Sequence, residues 1–173
     1  MGVAAGQRAS VSAVVTDADT AISAGSGDVP VLATPRLLAL AEAAAVAAVA
    51  PHLAPGMTSV GTSASLEHRR ASPVGAEVVV EAELTEVDGR RLMFSFIARE
   101  SVPRPGGGAG EGAGNAAGAG MGPGSAAGAG EGAGGAAGAR EDRDEDLVVG
   151  AGTVERVLVD RAAFLARAAG HRP

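Results

Sequence analysis

The most apolar stretch of the chain runs from Leu37 to Ala50, where every residue except Glu42 is Ala, Val or Leu. Thr34-Pro35 stands before it and Pro51 closes it, which predicts a helix with Thr34 as N-cap and Pro35 in the first helical position. Apolar residues occupy every side of this helix, so every side needs cover. The flanking segments alternate instead. Val11–Val15 is a short candidate strand, and the Asp-, Gly- and Ser-rich segment 16–31 reads as loop. In MTSVGTSASLEH, Val60, Ala64, Leu66 and His68 fall on one face of a strand. In AEVVVEAELTEV, Ala76, Val78, Val80, Ala82 and Leu84 face one way, and Glu77, Glu81 and Glu83 the other, the mark of a half-buried antiparallel strand.

Asp88-Gly89 then signals a hairpin. A two-residue loop would set Leu84 opposite Met93 and mix the two faces. A three-residue loop, Asp88 to Arg90, sets Leu84 opposite Phe94 and Ala82 opposite Phe96 and keeps the apolar sides together, so that loop is expected. After a long interruption, Leu147–Val159 forms a last strand, and Asp160 caps a short helix over RAAFLARAA. One apolar helix followed by antiparallel strands predicts an α+β fold, with a sheet of about five strands wrapped around the helix. One such sheet covers one helix face, so a second subunit is expected to cover more of it.

The interruption, 103–146, begins as a Gly/Ala/Pro tract and ends in the charged run REDRDED. GAGEGAGNAAGA at 108–119 returns as GAGEGAGGAAGA at 128–139. Neither copy can present an apolar face, so the segment reads as a disordered insertion in a hairpin, where loop closure costs little extra with length. Residues 1–102 and 147–173 are then expected to make a single domain.

Charge and composition narrow the partners. The chain has 173 residues, a formal net charge of −6 and no Cys, and all 14 of its basic residues are Arg. No basic face points to nucleic acid, and neither disulfides nor thiolate metal sites are available. The N-terminal segment lacks the apolar core of a signal peptide, and the run 37–50 falls short of the roughly twenty residues that span a bilayer. A cytoplasmic location is expected, with no membrane partner.

Glu42 is the residue the pattern does not explain. Its helical neighbours one turn away are Leu38, Ala39, Ala45 and Val46, so any cationic partner comes from elsewhere in the fold. It is either a carboxylate reaching solvent at the sheet edge or a group held for chemistry, as general base or as nucleophile. His68 lies on the strand face expected to meet the helix; it is either a hydrogen-bonded core histidine or a proton carrier near Glu42. Thr34 has a complete role as a cap, and the same helix terminus suits a carbonyl oxygen. Eight residues separate it from Glu42, about 12 Å along a helix, so the two are not expected to touch within one chain. Gly61 interrupts a strand, as a bulge or as a place of close ligand approach.

The segments VPVLATPRLLALAEAA, SVGTSASLEH, ASPVGAEVVVEAELTEVDGRR and GTVERVLVD, in this order, resemble the fluoroacetyl-CoA thioesterase-like family of hotdog-fold thioesterases. The likeness covers roughly 11–101 and 147–165 and leaves the insertion outside. It implies the hotdog fold and hydrolysis of a small acyl-CoA thioester by a homodimer or higher oligomer, without metal or cofactor. The family's catalytic Thr, Glu and His match Thr34, Glu42 and His68 with the same spacing. Its substrate-contacting Gly matches Gly61, and an Arg near the CoA site matches Arg156, which a plain surface Arg would also explain. The family's last strand often reads GTHER; here it reads GTVER, with Val154 in place of His. The segment 16–33 has no aromatic residue to close over a very small acyl group, so the resemblance carries the reaction class but not the acyl group. Two other readings remain: a non-catalytic hotdog module that binds acyl-CoA, and a hydratase pairing His68 with Asp17 or Asp19.

Overall fold

A computed structural model describes residues 2–101 and 147–170. Strand β1 (Arg8–Val14) leads through a 3-10 turn (Asp17–Asp19) and a long loop to helix α1 (Thr34–Val49). Four strands follow: β2 (Met57–His68), β3 (Glu77–Asp88), β4 (Arg91–Ser101) and β5 (Val148–Asp160), then helix α2 (Arg161–Gly170). They form one antiparallel sheet in the order β1-β3-β4-β5-β2. The hotdog expectation, a five-stranded sheet curled on one apolar helix, describes this architecture. The expected insertion at 103–146 lies outside the described residues, and the strands on either side of it pair directly with each other.

The alternation written into β3 is what builds the core. Val78, Val80, Ala82 and Leu84 are fully buried, as are Leu92, Phe94 and Ala98 on β4. Against them α1 lays Leu37, Ala41, Ala44, Ala45 and Val49, also fully buried. The helix sits chiefly over β1 and β3. β1 is longer than the Val11–Val15 segment because pairing with β3 extends back to Arg8. Thr34–His52 is long and apolar enough to cross a membrane, longer than the run read from sequence, but its inner face is spent on the sheet.

Two expectations about strand geometry need correction. Leu84 does oppose Phe94 and Ala82 does oppose Phe96. The extra residue, however, is not in a three-residue loop. Asp88 pairs with Arg91, so the loop is Gly89-Arg90, with Gly89 at φ +57°, and the surplus residue is Thr85, bulged between Leu84 and Glu86. Burial specifies register only where side chains reach the core; beyond Leu84 the strand is exposed, and turn geometry decides.

The second correction concerns β2. A bulge at Thr62 shifts its register against β5, setting Gly61 opposite Arg156 and Ser63 opposite Glu155. Gly61, not Val60, therefore shares a face with Ala64, Leu66 and His68. Asp160 behaves as expected: its Oδ1 accepts from the Ala163 N–H at 2.8 Å and caps α2.

The outer flank of α1 stays open. Ala39, Ala43, Val46 and Ala47 are exposed along one stripe, with half-buried Glu42 among them, and the middle of edge strand β2, Gly61 to Ser65, is exposed too.

Candidate active site

The residues singled out by sequence gather into two clusters rather than one. Both depend on α1 and β2 lying side by side in opposite directions, so that the helix start meets the strand end.

At the helix start, Thr34 is not the N-cap. Ala33 holds that position with extended backbone, and no side chain caps the terminus. This frees the Thr34 hydroxyl, which lies 3.0 Å from His68 Nδ1 at the last residue of β2. His68 thus meets Thr34, and not Glu42 as its strand face suggested. The other ring nitrogen, Nε2, is buried with no hydrogen-bond partner among the described residues. Burial lowers the His68 pKa from its usual value, with the Arg70 backbone acting in the opposite direction. The imidazole is therefore neutral at neutral pH and able to accept a proton.

Further along the helix, Glu42 finds the cation it lacked in its own sequence neighbourhood. Arg156 Nη1 lies 3.5 Å from Glu42 Oε1. Arg156 is not on the surface: it is 6% exposed, its Nε donates to Ser59 Oγ at 3.0 Å and its Nη2 to the Ser59 carbonyl at 3.0 Å. Its placement beneath Glu42 corrects the surface reading. Burial lowers the Arg156 pKa, and the Glu42 charge opposes the fall. Gly61 completes the cluster. A Cβ there would collide with Glu42 Oε1 and come within 3.6 Å of Arg156 Nη1, so the missing side chain is the space the carboxylate occupies.

Above Thr34 the loop 16–33 forms an ordered cover. Asp19 ties it down: Oδ1 accepts from Arg36 Nε on α1 at 2.6 Å, and Oδ2 accepts from the Thr16 N–H at 2.9 Å and from its hydroxyl. These hydrogen bonds, those of Thr16 foremost, hold the Asp19 pKa below its usual value. Asp19 is thereby committed to Thr16 and Arg36. Leu32 and Val31 add backbone links to Ser72 and Pro73. Between this cover and the end of β2 lies an open cavity of about 320 Å³ at the surface, lined on one side by Ala21, Gly27, Val29 and Val31, and on the other by Thr34, His68, Arg69 and Arg70. Among the described residues no three His, Asp or Glu side chains converge as a metal site.

Sequence reasoning passed over Ser59, the Asp19–Arg36 clip and the two arginines after His68. Ser59 was detectable only through the Gly61–Arg156 register, and the clip has no local sign.

A proton titration of the His68 ring, followed by NMR, should give a midpoint below about 6.5. Because the folded-state value is depressed, the unfolded chain takes up a proton first, and stability falls as pH drops through about 6.5 toward the folded-state midpoint. A midpoint at or above 6.5 contradicts the buried, neutral ring.

The geometry has close parallels. Residues 15–110 match the model of the fluoroacetyl-CoA-specific thioesterase family. Fluoroacetyl-CoA thioesterase of Streptantibioticus cattleyicolor is 43% identical over 83 residues, which are 48% of this chain and 60% of that protein; the chain thus matches less than two thirds of this relative's length. The solved structure of the fluoroacetyl-CoA thioesterase FlK superposes with a TM-score of 0.69 at 26% identity, covering all of both chains. A Thermus thermophilus protein described as a thioesterase superfamily member shares the fold at a TM-score of 0.64 and 18% identity, over 94% of this chain and 88% of that one. With more than half of its length matched by the family model, the chain belongs to the fluoroacetyl-CoA-specific thioesterase family.

Proposed function

We propose that this chain is a hydrolase that cleaves a small acyl-CoA thioester to the free acid and CoA. The observation that carries the reading is the carboxylate of Glu42, held by a buried arginine against the one position of β2 with no side chain. A carboxylate set beside an open, Cβ-free stretch of strand can either attack a thioester carbonyl or take a proton from the water that does. In the first case a mixed anhydride forms and water cleaves it; in the second, water adds directly. In both, the C–S bond breaks and the CoA thiolate takes up a proton. His68, with Thr34 on its Nδ1, supplies that proton exchange, and the Thr34 hydroxyl and the main chain at Gly61 stabilise the carbonyl oxygen. Arg156 acts through Glu42 as a positioning residue.

Within one chain the Thr34–His68 pair and the Glu42 cluster share no contact among the described residues. The exposed Ala39–Ala43–Val46–Ala47 stripe beside Glu42, and the open edge of β2, are surfaces that a second copy would cover. A homodimer is therefore proposed, in which Thr34 and His68 of one subunit and Glu42 of the other face one substrate. A relative supports the substrate class: a threonine-to-serine variant of FlK is known in complex with acetyl-CoA, at 25% identity and a TM-score of 0.69 over 99% of this chain.

Replacing Glu42→Ala should remove at least about 99% of CoA release, the scale of a lost acid–base group, when free thiol is trapped over a panel of acyl-CoA esters. The same change strips a buried guanidinium of its counter-charge. It should cost about 1–2 kcal/mol in denaturant unfolding, less than a fully buried pair because the Glu42 side chain is 43% exposed. Turnover at the parental rate would end the mechanism, whereas acyl-CoA binding without thiol release by the parent protein would leave a binding module. In Gly61→Ala the new methyl displaces the carboxylate. Its kcat should fall about tenfold or more with the fold retained, and unchanged kcat would separate Gly61 from the site. Ala43→Arg places a charge in the open stripe and should convert a dimer to monomer in sedimentation, with activity lost alongside. An active monomeric parent would overturn the shared site.

A further inference from the structure

The cavity beside Thr34 and His68 has two unlike walls. The cover side offers small apolar groups, while the β2 side continues past His68 into Arg69 and Arg70, with no Asp or Glu among the described residues that line it. The two arginines are held in place by their backbone: both N–H groups donate to the Val149 carbonyl, at 2.8 and 3.2 Å. The Arg69 guanidinium meets Glu67 at 2.6 Å, but those side chains are 56% and 70% exposed, so the pair contributes little and can exchange for another carboxylate. At about 320 Å³ the space, open to solvent along its mouth, has room for more than a two-carbon acyl group.

We propose that this cavity takes an acyl group bearing its own carboxylate. The substrates would be CoA half-thioesters of short dicarboxylic acids, with the thioester at Thr34 and His68 and the free carboxylate meeting Arg69 in exchange for Glu67, beside the charge of Arg70. The inference rests on the thioesterase reading for where the thioester lies. Guanidinium groups recognise carboxylates by charge-assisted, directional hydrogen bonds, and the apolar wall accommodates the methylenes between the two ends. The phosphates of CoA are the other anions of the substrate. They lie at the far end of the pantetheine arm and are common to every CoA ester, so a preference among esters reports the acyl end alone. Hydrolysis adds water's oxygen to the carbonyl carbon and breaks the C–S bond, and the dicarboxylate and CoA leave.

The test uses the full chain and three esters of equal length: succinyl-CoA, its monoamide, and butyryl-CoA. Thiol release should favour succinyl-CoA over both neutral esters by about tenfold or more in kcat/KM. In Arg69→Gln/Arg70→Gln that ratio should collapse toward one. A ratio near one in the parent overturns the proposal, as does a preference that survives the double substitution. The amide comparison needs no variant, so it decides the matter even if the variant folds poorly. If no ester is cleaved, the thioesterase reading falls, and competition binding then judges the cavity. Tighter, arginine-dependent binding of succinyl-CoA than of butyryl-CoA supports it, and equal binding overturns it.

Discussion

A guanidinium buried beneath a sheet needs both hydrogen-bond acceptors and a counter-charge, and this fold meets the demand of Arg156 with Ser59 and Glu42. Much of the site depends on that requirement. Ser59 orients the guanidinium through its hydroxyl and its carbonyl, leaving one nitrogen directed at the helix. The helix turns Glu42 toward that nitrogen and away from the core. Gly61, cross-strand partner of Arg156, leaves the room in which the carboxylate sits. A carboxylate on an otherwise apolar helix is thus anchored from another strand.

The bulge at Thr62 is what makes the arrangement possible. In a regular strand Gly61 would project away from the face that carries Ala64, Leu66 and His68. One surplus residue brings Gly61 onto that face, so that a single strand serves Glu42 near its middle and Thr34 at its end. The helix crosses it in the opposite direction, and the two clusters inherit their separation from the spacing of Thr34 and Glu42 along α1. A substrate that engages both has to bridge two surfaces, and the open helix stripe and the bare edge of β2 are where a second copy would bring them together.

The cover over Thr34 shows how a segment of low apolarity can still be ordered. Residues 16–33 contain few core-forming side chains, and their shape comes from polar clips: Thr16 with Asp19, Asp19 with Arg36, and backbone links to Ser72 and Pro73. Small residues of that cover, Ala21 and Gly27 among them, line the open space beside Thr34 and His68.

The sequence by itself determined the elements and the core. Alternation on β3, the apolar helix bounded by prolines, and the matching of Leu84 with Phe94 follow from the periodicity of strand and helix, which burial enforces locally. It also singled out Glu42, because a lone carboxylate in an apolar run has no helical partner. Only the tertiary structure decided what each polar residue does. Thr34 reads as a cap from its neighbours but spends its hydroxyl on His68, and Arg156 reads as a surface residue but is buried against Glu42. Single-residue bulges at Thr62 and Thr85 made the difference on the strands, and nothing in the local pattern signals them, because both sit where exposed side chains leave the register unspecified by burial. Polar pairings of this kind join residues far apart in the chain, and their energies depend on desolvation that exists only once the sheet has closed around the helix.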